Sequence, residues 1–124
     1  MRKRNRKYKG SDNVAKISPY ESEELTDSIF LILLAMKNPI HGYGLMQKIE
    51  ELTAGTFSIG PATMYTTIKK MKAANWISET ENSDLKIVYQ ITPKGEQVLM
   101  KDYKRRKDIV MLAEKEMGDN DEQI

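Results

Sequence analysis

The side chains best suited to bind an anion fall on one face of a helix that the sequence predicts from Pro61 onward. Met64, Ile68 and Met71 repeat at helical spacing and form an apolar stripe that should be buried. Because successive residues turn by about 100°, the opposite face carries small, hydroxyl-bearing and cationic side chains and no acid: Thr63, Thr66, Lys69, Lys70 and Ala73. Hydroxyl and ammonium groups bind phosphate oxygens and base edges, so this face predicts contact with a nucleic acid.

Tyr65 and the two lysines of this helix have different expected roles. Tyr65 borders the apolar stripe, and its position fits a core residue and a DNA-contacting residue equally well. Lys69 and Lys70 lack the rigid fork with which arginine binds guanine, so we expect them to bind phosphates. Specificity would then depend largely on DNA shape and on the hydroxyl groups.

A short amphipathic helix precedes this element. Leu45, Ile49 and Leu52 form its apolar stripe, and Gly55 ends it. Two helices joined by a brief connection that contains glycine are typical of a helix-turn-helix.

A polar hairpin follows, which the pattern identifies as a wing. Residues 78–81 and 86–91 predict two strands, and Asn-Ser-Asp at 82–84 supplies the turn. Alternate residues of the return strand share one face: Ile87, Tyr89 and Ile91. Lys86 is the basic residue beside the predicted tip, and we count it as a DNA contact.

The first predicted helix, residues 22–37, is apolar on more than one side. Its apolar stripe at helical spacing consists of Leu25, Ile29, Ile32, Leu33 and Met36. Phe30, Leu31 and Leu34 add apolar surface outside this stripe. A helix of this kind must be buried on two sides, so we assign Ile29 and Leu33 to an interface with a second subunit.

The last predicted helix begins with Thr92 as N-cap and Pro93 in the first turn, and it runs to Met117. Near-heptad spacing predicts that this helix pairs with its copy through four residues: Leu99, Tyr103, Val110 and Met117. The alternative is a helix folded back on its own domain in a monomer. The basic cluster at residues 101–107 should be a solvated face.

The chain begins with a basic segment. Residues 2–9 carry six basic residues and no acid. The other 14 basic residues face 18 acidic ones, so the rest of the chain has a net charge of −4. We expect a disordered arm that contacts DNA phosphates, with a merely solvated terminus as an equal alternative. The expected DNA-binding residues of this arm are Arg2, Lys3, Arg4 and Arg6.

These elements predict a fold that is mainly α with a small β-hairpin, a winged helix-turn-helix with a long C-terminal dimerisation helix. The expected division is a disordered basic arm (1–20), a DNA-binding domain (21–92), a dimerisation helix (93–117) and an acidic tail (118–124).

Composition argues against several other classes. There is no cysteine, which excludes disulfides and thiolate sites, and the single histidine, His41, has no ligand-type neighbours and is expected at a turn or cap. We expect no metal, no cofactor and no catalytic residues. The longest apolar run is too short to span a membrane and a secretory signal is absent, so we expect a cytoplasmic protein.

Three stretches resemble the PadR-like transcriptional regulators, a family of winged-helix repressors of bacteria. They are HGYGL at the second helix, GPATMYTTIKKMKAANWI at the third, and VYQITPKG at the end of the wing. The short C-terminal tail is similar to the smaller subfamily, whose members dimerise through one helix. The resemblance implies double-stranded DNA and a second copy of the chain as partners. It leaves open a small-molecule effector of unidentified chemistry.

We therefore expect a dimeric, sequence-specific DNA-binding regulator, a repressor that reads an inverted-repeat operator with the helix at residues 61–75 in the major groove. The alternative is a winged-helix adaptor that binds proteins and no DNA.

Overall fold

The computed structural model describes residues 17–82, 84 and 86–118. In chain order these residues form α1 (Pro19–Ser22), α2 (Asp27–Ala35), β1 (Ile40–His41), α3 (Gly42–Leu52), α4 (Pro61–Ala73), β2 (Ile77–Glu81), β3 (Ile87–Ile91) and α5 (Pro93–Met117). The predicted fold class, helical with a small hairpin in a winged helix-turn-helix, is confirmed.

The N-terminal end of the domain differs from the single helix predicted from residue 22. The backbone of Glu23 is left-handed, with φ 64°, and ends the short helix α1. The side chain of Thr26 then accepts a hydrogen bond from the Ile29 amide (3.2 Å) and starts α2. A capping threonine this close to the apolar run explains why the longer prediction was wrong.

The hairpin belongs to a three-stranded antiparallel sheet with the order β1-β3-β2. Its outer strand β1 pairs Ile40 with Tyr89 and His41 with Val88, and the sequence did not predict it. A two-residue strand carries too little alternation to be recognised before its partner is known. His41 is also the N-cap residue of α3, in agreement with its predicted place at a turn or cap.

The core lies between α2, α3, α4, the hairpin and the first half of α5. Its largest fully buried side chains include Trp76, Ile32, Leu33, Met64 and Met71. The ring of Tyr20 in α1 packs on Trp76 with a centroid distance of 5.0 Å. Two expected apolar positions lie outside this core, because Leu52 is 47% exposed and Ile87 is 44% exposed.

The two halves of α5 have different surroundings. Thr92 caps the helix by accepting a hydrogen bond from the Gly95 amide (3.0 Å), as predicted. Gly95, Val98, Leu99 and Asp102 are buried against the domain. From residue 107 to residue 117 every side chain is exposed, so this half of the helix extends past the core.

Candidate nucleic-acid interface

The outward face of α4 is exposed from its first turn to its last. Pro61 occupies the first turn, where a missing N–H group is tolerated. The predicted stripe of Met64, Ile68 and Met71 is buried, together with Thr67. The opposite side, as predicted, is exposed: Thr63, Thr66, Lys69, Lys70 and Ala73.

The lysines of α4 differ in their partners. Lys72 forms an ion pair with Glu79 of β2, with Nζ 2.9 Å from Oε1, so its charge is matched within the domain. Lys69 and Lys70 form no ion pair with any residue that the structure describes. Their two charges therefore remain available to an anion on the outward face.

Tyr65 is a surface residue with one packed side. Its side chain is 49% exposed, so it does not belong to the core. A β-carbon at Gly42 would fall 2.6 Å from the Tyr65 hydroxyl oxygen, which places the ring against the first turn of α3. Burial raises the pKa of the neighbouring Tyr89 phenol, and Glu79 and Tyr65 raise it further. Tyr65 therefore lies near the part of the wing where Glu79 of β2 pairs with Tyr89 of β3.

The wing carries more acid than base. Lys86 is exposed, as are Glu79, Glu81 and Asp84. The side chain of Asn82 orders the turn by accepting hydrogen bonds from the amides of Asp84 (2.9 Å) and Lys86 (3.1 Å). In its described residues the wing therefore has a net negative charge, which opposes strong contact with phosphates.

The expected arm contacts lie outside the described residues: Arg2, Lys3, Arg4 and Arg6. Within the described residues, the segment before α2 is attached to α5 through Glu23. Glu23 binds Lys94 (3.1 Å) and Lys101 (3.3 Å) of α5. The hydrogen bond from Lys94 is the main reason that the pKa of Glu23 is lowered.

The residues expected at a dimer interface divide into two groups. Ile29, Leu33 and Leu99 are buried in the protomer's own core. The other three are exposed: Tyr103 (46%), Val110 (54%) and Met117 (61%). Met100, Ile109, Met111 and Leu112 are also more than half exposed, so the apolar surface of α5 that is free to meet a partner begins near Met100 and continues through the second half of the helix.

The prediction that the basic cluster at residues 101–107 forms a solvated face is wrong for Arg105 and Arg106, which are partly buried beside Asp102. The Asp102 side chain is fully buried. It accepts hydrogen bonds from the Leu25 amide (3.0 Å), from Arg105 Nε (2.8 Å) and from Arg106 Nε (2.6 Å). Burial tends to raise the pKa of Asp102, but these hydrogen bonds outweigh that effect and the pKa is lowered. The i,i+4 spacing of an acid and an arginine indicated a pair, whereas nothing local indicated its burial.

Other kinds of site are absent from the described part of the chain. Residues 17–82, 84 and 86–118 contain no group of three or more His, Cys, Asp or Glu side chains that could hold a metal ion. None of the described helices is both long and apolar enough to cross a membrane.

Comparison with known proteins agrees with this architecture. The sequence model of the transcriptional regulator PadR-like family matches residues 30–101. No curated protein is similar enough to match the chain.

Solved structures share the fold at low identity. A transcriptional regulator from Clostridium thermocellum is 17% identical, with 73% of this chain and 96% of that chain covered and a TM-score of 0.63. A PadR family regulator from Clostridium difficile is 22% identical, with 73% and 94% covered and a TM-score of 0.56. Bacillus subtilis PadR, solved in complex with operator DNA, is 24% identical, with 60% and 45% covered and a TM-score of 0.51.

Proposed function

Because the chain belongs to the PadR-like family of transcriptional regulators, we propose that it acts as a dimeric repressor of an inverted-repeat operator. Membership makes it a DNA-binding transcriptional regulator and confirms the expectation that it is not an enzyme. The proposal adds the oligomeric state, the element that reads DNA and the sense of regulation.

The observation that carries the proposal is the acid-free outward face of α4, with two lysines unpaired among the described residues. Its 13 residues correspond to about 20 Å of helix, and the major groove of B-DNA, about 12 Å wide, admits such a helix. In this proposal Lys69 and Lys70 bind phosphates, while Thr63, Thr66 and Tyr65 reach base edges or phosphates. The Bacillus subtilis neighbour was solved with operator DNA, which supports the same partner here.

The exposed second half of α5 supports the dimer. Val110 and Met117 lie on its near-heptad track, and Ile109 and Leu112 add apolar surface that water disfavours. Pairing of two such helices removes this surface from water and creates a two-fold axis. The two copies of α4 would then contact half-sites about 34–36 Å apart, which implies an inverted repeat.

The proposed electrostatics place little weight on the wing. Lys86 is the one basic residue among its described positions, against three acids. Attraction to DNA therefore depends on Lys69, Lys70 and the basic residues at 2–9, whose contribution remains a prediction.

Charge reversal on α4 tests the proposal. Lys69→Glu with Lys70→Glu should abolish retention of genomic fragments in a mobility-shift assay. Lys104→Glu with Lys115→Glu makes the same change in charge on exposed positions of α5 and serves as the matched control. If the control variant still binds the fragments and the α4 variant does not, α4 is assigned as the helix that reads DNA.

The acidic wing favours one alternative, an adaptor that binds proteins and no DNA. An adaptor predicts equal behaviour of both double variants in the same assay, and that result would reject the repressor. Sedimentation over a range of concentrations checks the dimer, because a mass that stays at that of one protomer would contradict it.

A further inference from the structure

We propose that Asp102 and Arg106 are positioning residues that set which half-site spacing the protein accepts. Through them α5 is held at one angle to the DNA-reading domain. The proposal rests on the dimer and the DNA contacts proposed above, and it concerns a pair of residues whose hydrogen bonds in the structure are made within one protomer.

Two directional bonds join α5 to the single residue Leu25, just before the N-cap of α2. Asp102 Oδ1 accepts a hydrogen bond from the Leu25 amide (3.0 Å). Arg106 Nη2 donates a hydrogen bond to the Leu25 carbonyl oxygen (2.8 Å). The donor and the acceptor of Leu25 are thus both bound by side chains one turn apart on α5, which restricts rotation and tilt of the helix about this point.

The guanidinium of Arg106 extends the connection to α2. Its Nη1 binds Asp27 Oδ1 at 2.8 Å, and its Nε binds Asp102 Oδ2. The Cζ atom lies 4.5 Å from the centre of the Phe30 ring. One planar group therefore joins α5 to both the first turn of α2 and the segment before it, a geometry that arginine supports and lysine does not.

The pair lies at the point where α5 leaves the domain. Asp102 is the last buried residue of the helix, and residues 107–117 are exposed. Those eleven residues span about 16 Å, so a tilt of about 10° at Arg106 moves the far end by about 3 Å. Successive base pairs are about 3.4 Å apart. A small change of angle at this pair is therefore comparable to one base pair of half-site spacing.

Apolar packing alone would hold α5 less narrowly. The hydrophobic contacts of Val98 and Leu99 are non-directional and tolerate sliding, whereas hydrogen bonds to a buried carboxylate lose strength as their angles change. Buried ion pairs often add little net stability compared with apolar side chains of the same size. Control of geometry is the function that this pair is best placed to perform.

The first test measures spacing preference. Paired half-sites are synthesised with spacers from two base pairs shorter to two longer than the optimum, and a single half-site serves as reference. We expect the wild type to bind the site with the best spacer with an affinity about tenfold higher than sites with neighbouring spacers. For Asp102→Asn or Arg106→Lys, the affinities for neighbouring spacers should lie within about threefold of the highest affinity. Binding to the single half-site should stay within about twofold of wild type. Asp108→Asn, the same chemical change at an exposed position of α5, is the control.

The second test needs no DNA and covers variants that fold less stably. Because the chain has no cysteine, Gln47→Cys on the exposed side of α3 carries one spin label per protomer. Electron–electron distance measurements at low temperature should give a narrow distribution for the wild-type and Asp108→Asn dimers. The Asp102→Asn and Arg106→Lys dimers should give a broader one.

The outcomes separate this inference from the proposed function. Variants that lose stability yet keep the wild-type spacer preference and label distribution would overturn the positioning role while leaving the repressor intact. The proposed function, and this inference with it, would be overturned if the wild-type protein bound paired half-sites no more tightly than a single half-site. Sedimentation of the wild type as a monomer would have the same consequence.

Discussion

The ring of Tyr65 lies so close to Gly42 that a β-carbon at position 42 would fall 2.6 Å from its hydroxyl oxygen and 3.2 Å from Cζ. The contact connects the edge of the proposed DNA-reading face with the first turn of α3. Glycine at position 42 therefore leaves room for the Tyr65 side chain in its present position, although that side chain is 49% exposed. In the proposed complex with DNA, this contact would fix the position of the phenol.

The Gly42→Ala substitution should displace Tyr65 without unfolding the domain. The obstructing atom is the far end of a half-exposed side chain, so we expect a stability change within about 1 kcal/mol. DNA affinity should fall more in the wild-type background than in Tyr65→Phe, which removes the nearest atom. A double-mutant cycle measured by fluorescence anisotropy should give a coupling energy of about 0.5–3 kcal/mol. Additive effects would show that the contact does not position Tyr65 for DNA.

The Gly95→Ala substitution should destabilise the domain strongly. A β-carbon there would lie 2.1 Å from the Trp76 carbonyl oxygen, and backbone cannot swing aside as a side chain can. We expect a loss of about 3 kcal/mol in the free energy of unfolding, measured by urea denaturation with the fluorescence of the single tryptophan. Gly44→Ala is the control, because its β-carbon would meet Ile40 at an ordinary 3.5 Å. An equal effect of both substitutions would contradict the explanation by close approach.

The buried carboxylate of Asp102 should make stability depend on pH in the acid range. Its pKa is lower in the folded protein than its ordinary value of 3.8, so the unfolded chain binds a proton first as the pH falls. The stabilisation that Asp102 contributes is therefore complete at pH values above its pKa in the unfolded chain. It is lost as the pH falls through the pKa of Asp102 in the folded protein.

The Asp102→Asn variant tests this dependence. At pH 7 it should be less stable by about 3 kcal/mol, because Arg105 and Arg106 lose their buried partner. The difference from wild type should narrow below about pH 4. Urea titrations from pH 7 to pH 3 measure both quantities, and a constant difference would show that Asp102 does not titrate in this way.

Reversing the charge of the wing should strengthen DNA binding. Glu81→Lys and Asp84→Lys each remove an exposed acid, and Glu79 is left in place because it pairs with Lys72. We expect tighter binding and a slope of log K against log salt that is steeper by about 1 for each new phosphate contact. Asp108→Lys on α5 makes the same change in charge away from the proposed DNA face. An unchanged slope in the wing variants would place the wing off the DNA.

The sequence by itself determined the elements whose signals are local. The stripe of α4, its acid-free outward face, the hairpin turn and the Thr92-Pro93 start of α5 all depend on residues within one or two turns of each other. Periodicity and capping act over that range, so each could be predicted without knowing the rest of the chain.

Only the tertiary structure decided which of these residues meet. Asp102 and Leu25 are 77 positions apart, and β1 becomes a strand only because β3 pairs with it. The sequence predicted a solvated face for the basic cluster of α5, including Arg105 and Arg106, because residue spacing does not indicate which side of a helix a distant segment will cover. Burial of Asp102, the packing of Tyr65 on Gly42 and the exposure of the second half of α5 all result from contacts between segments far apart in the chain, which local propensity does not encode.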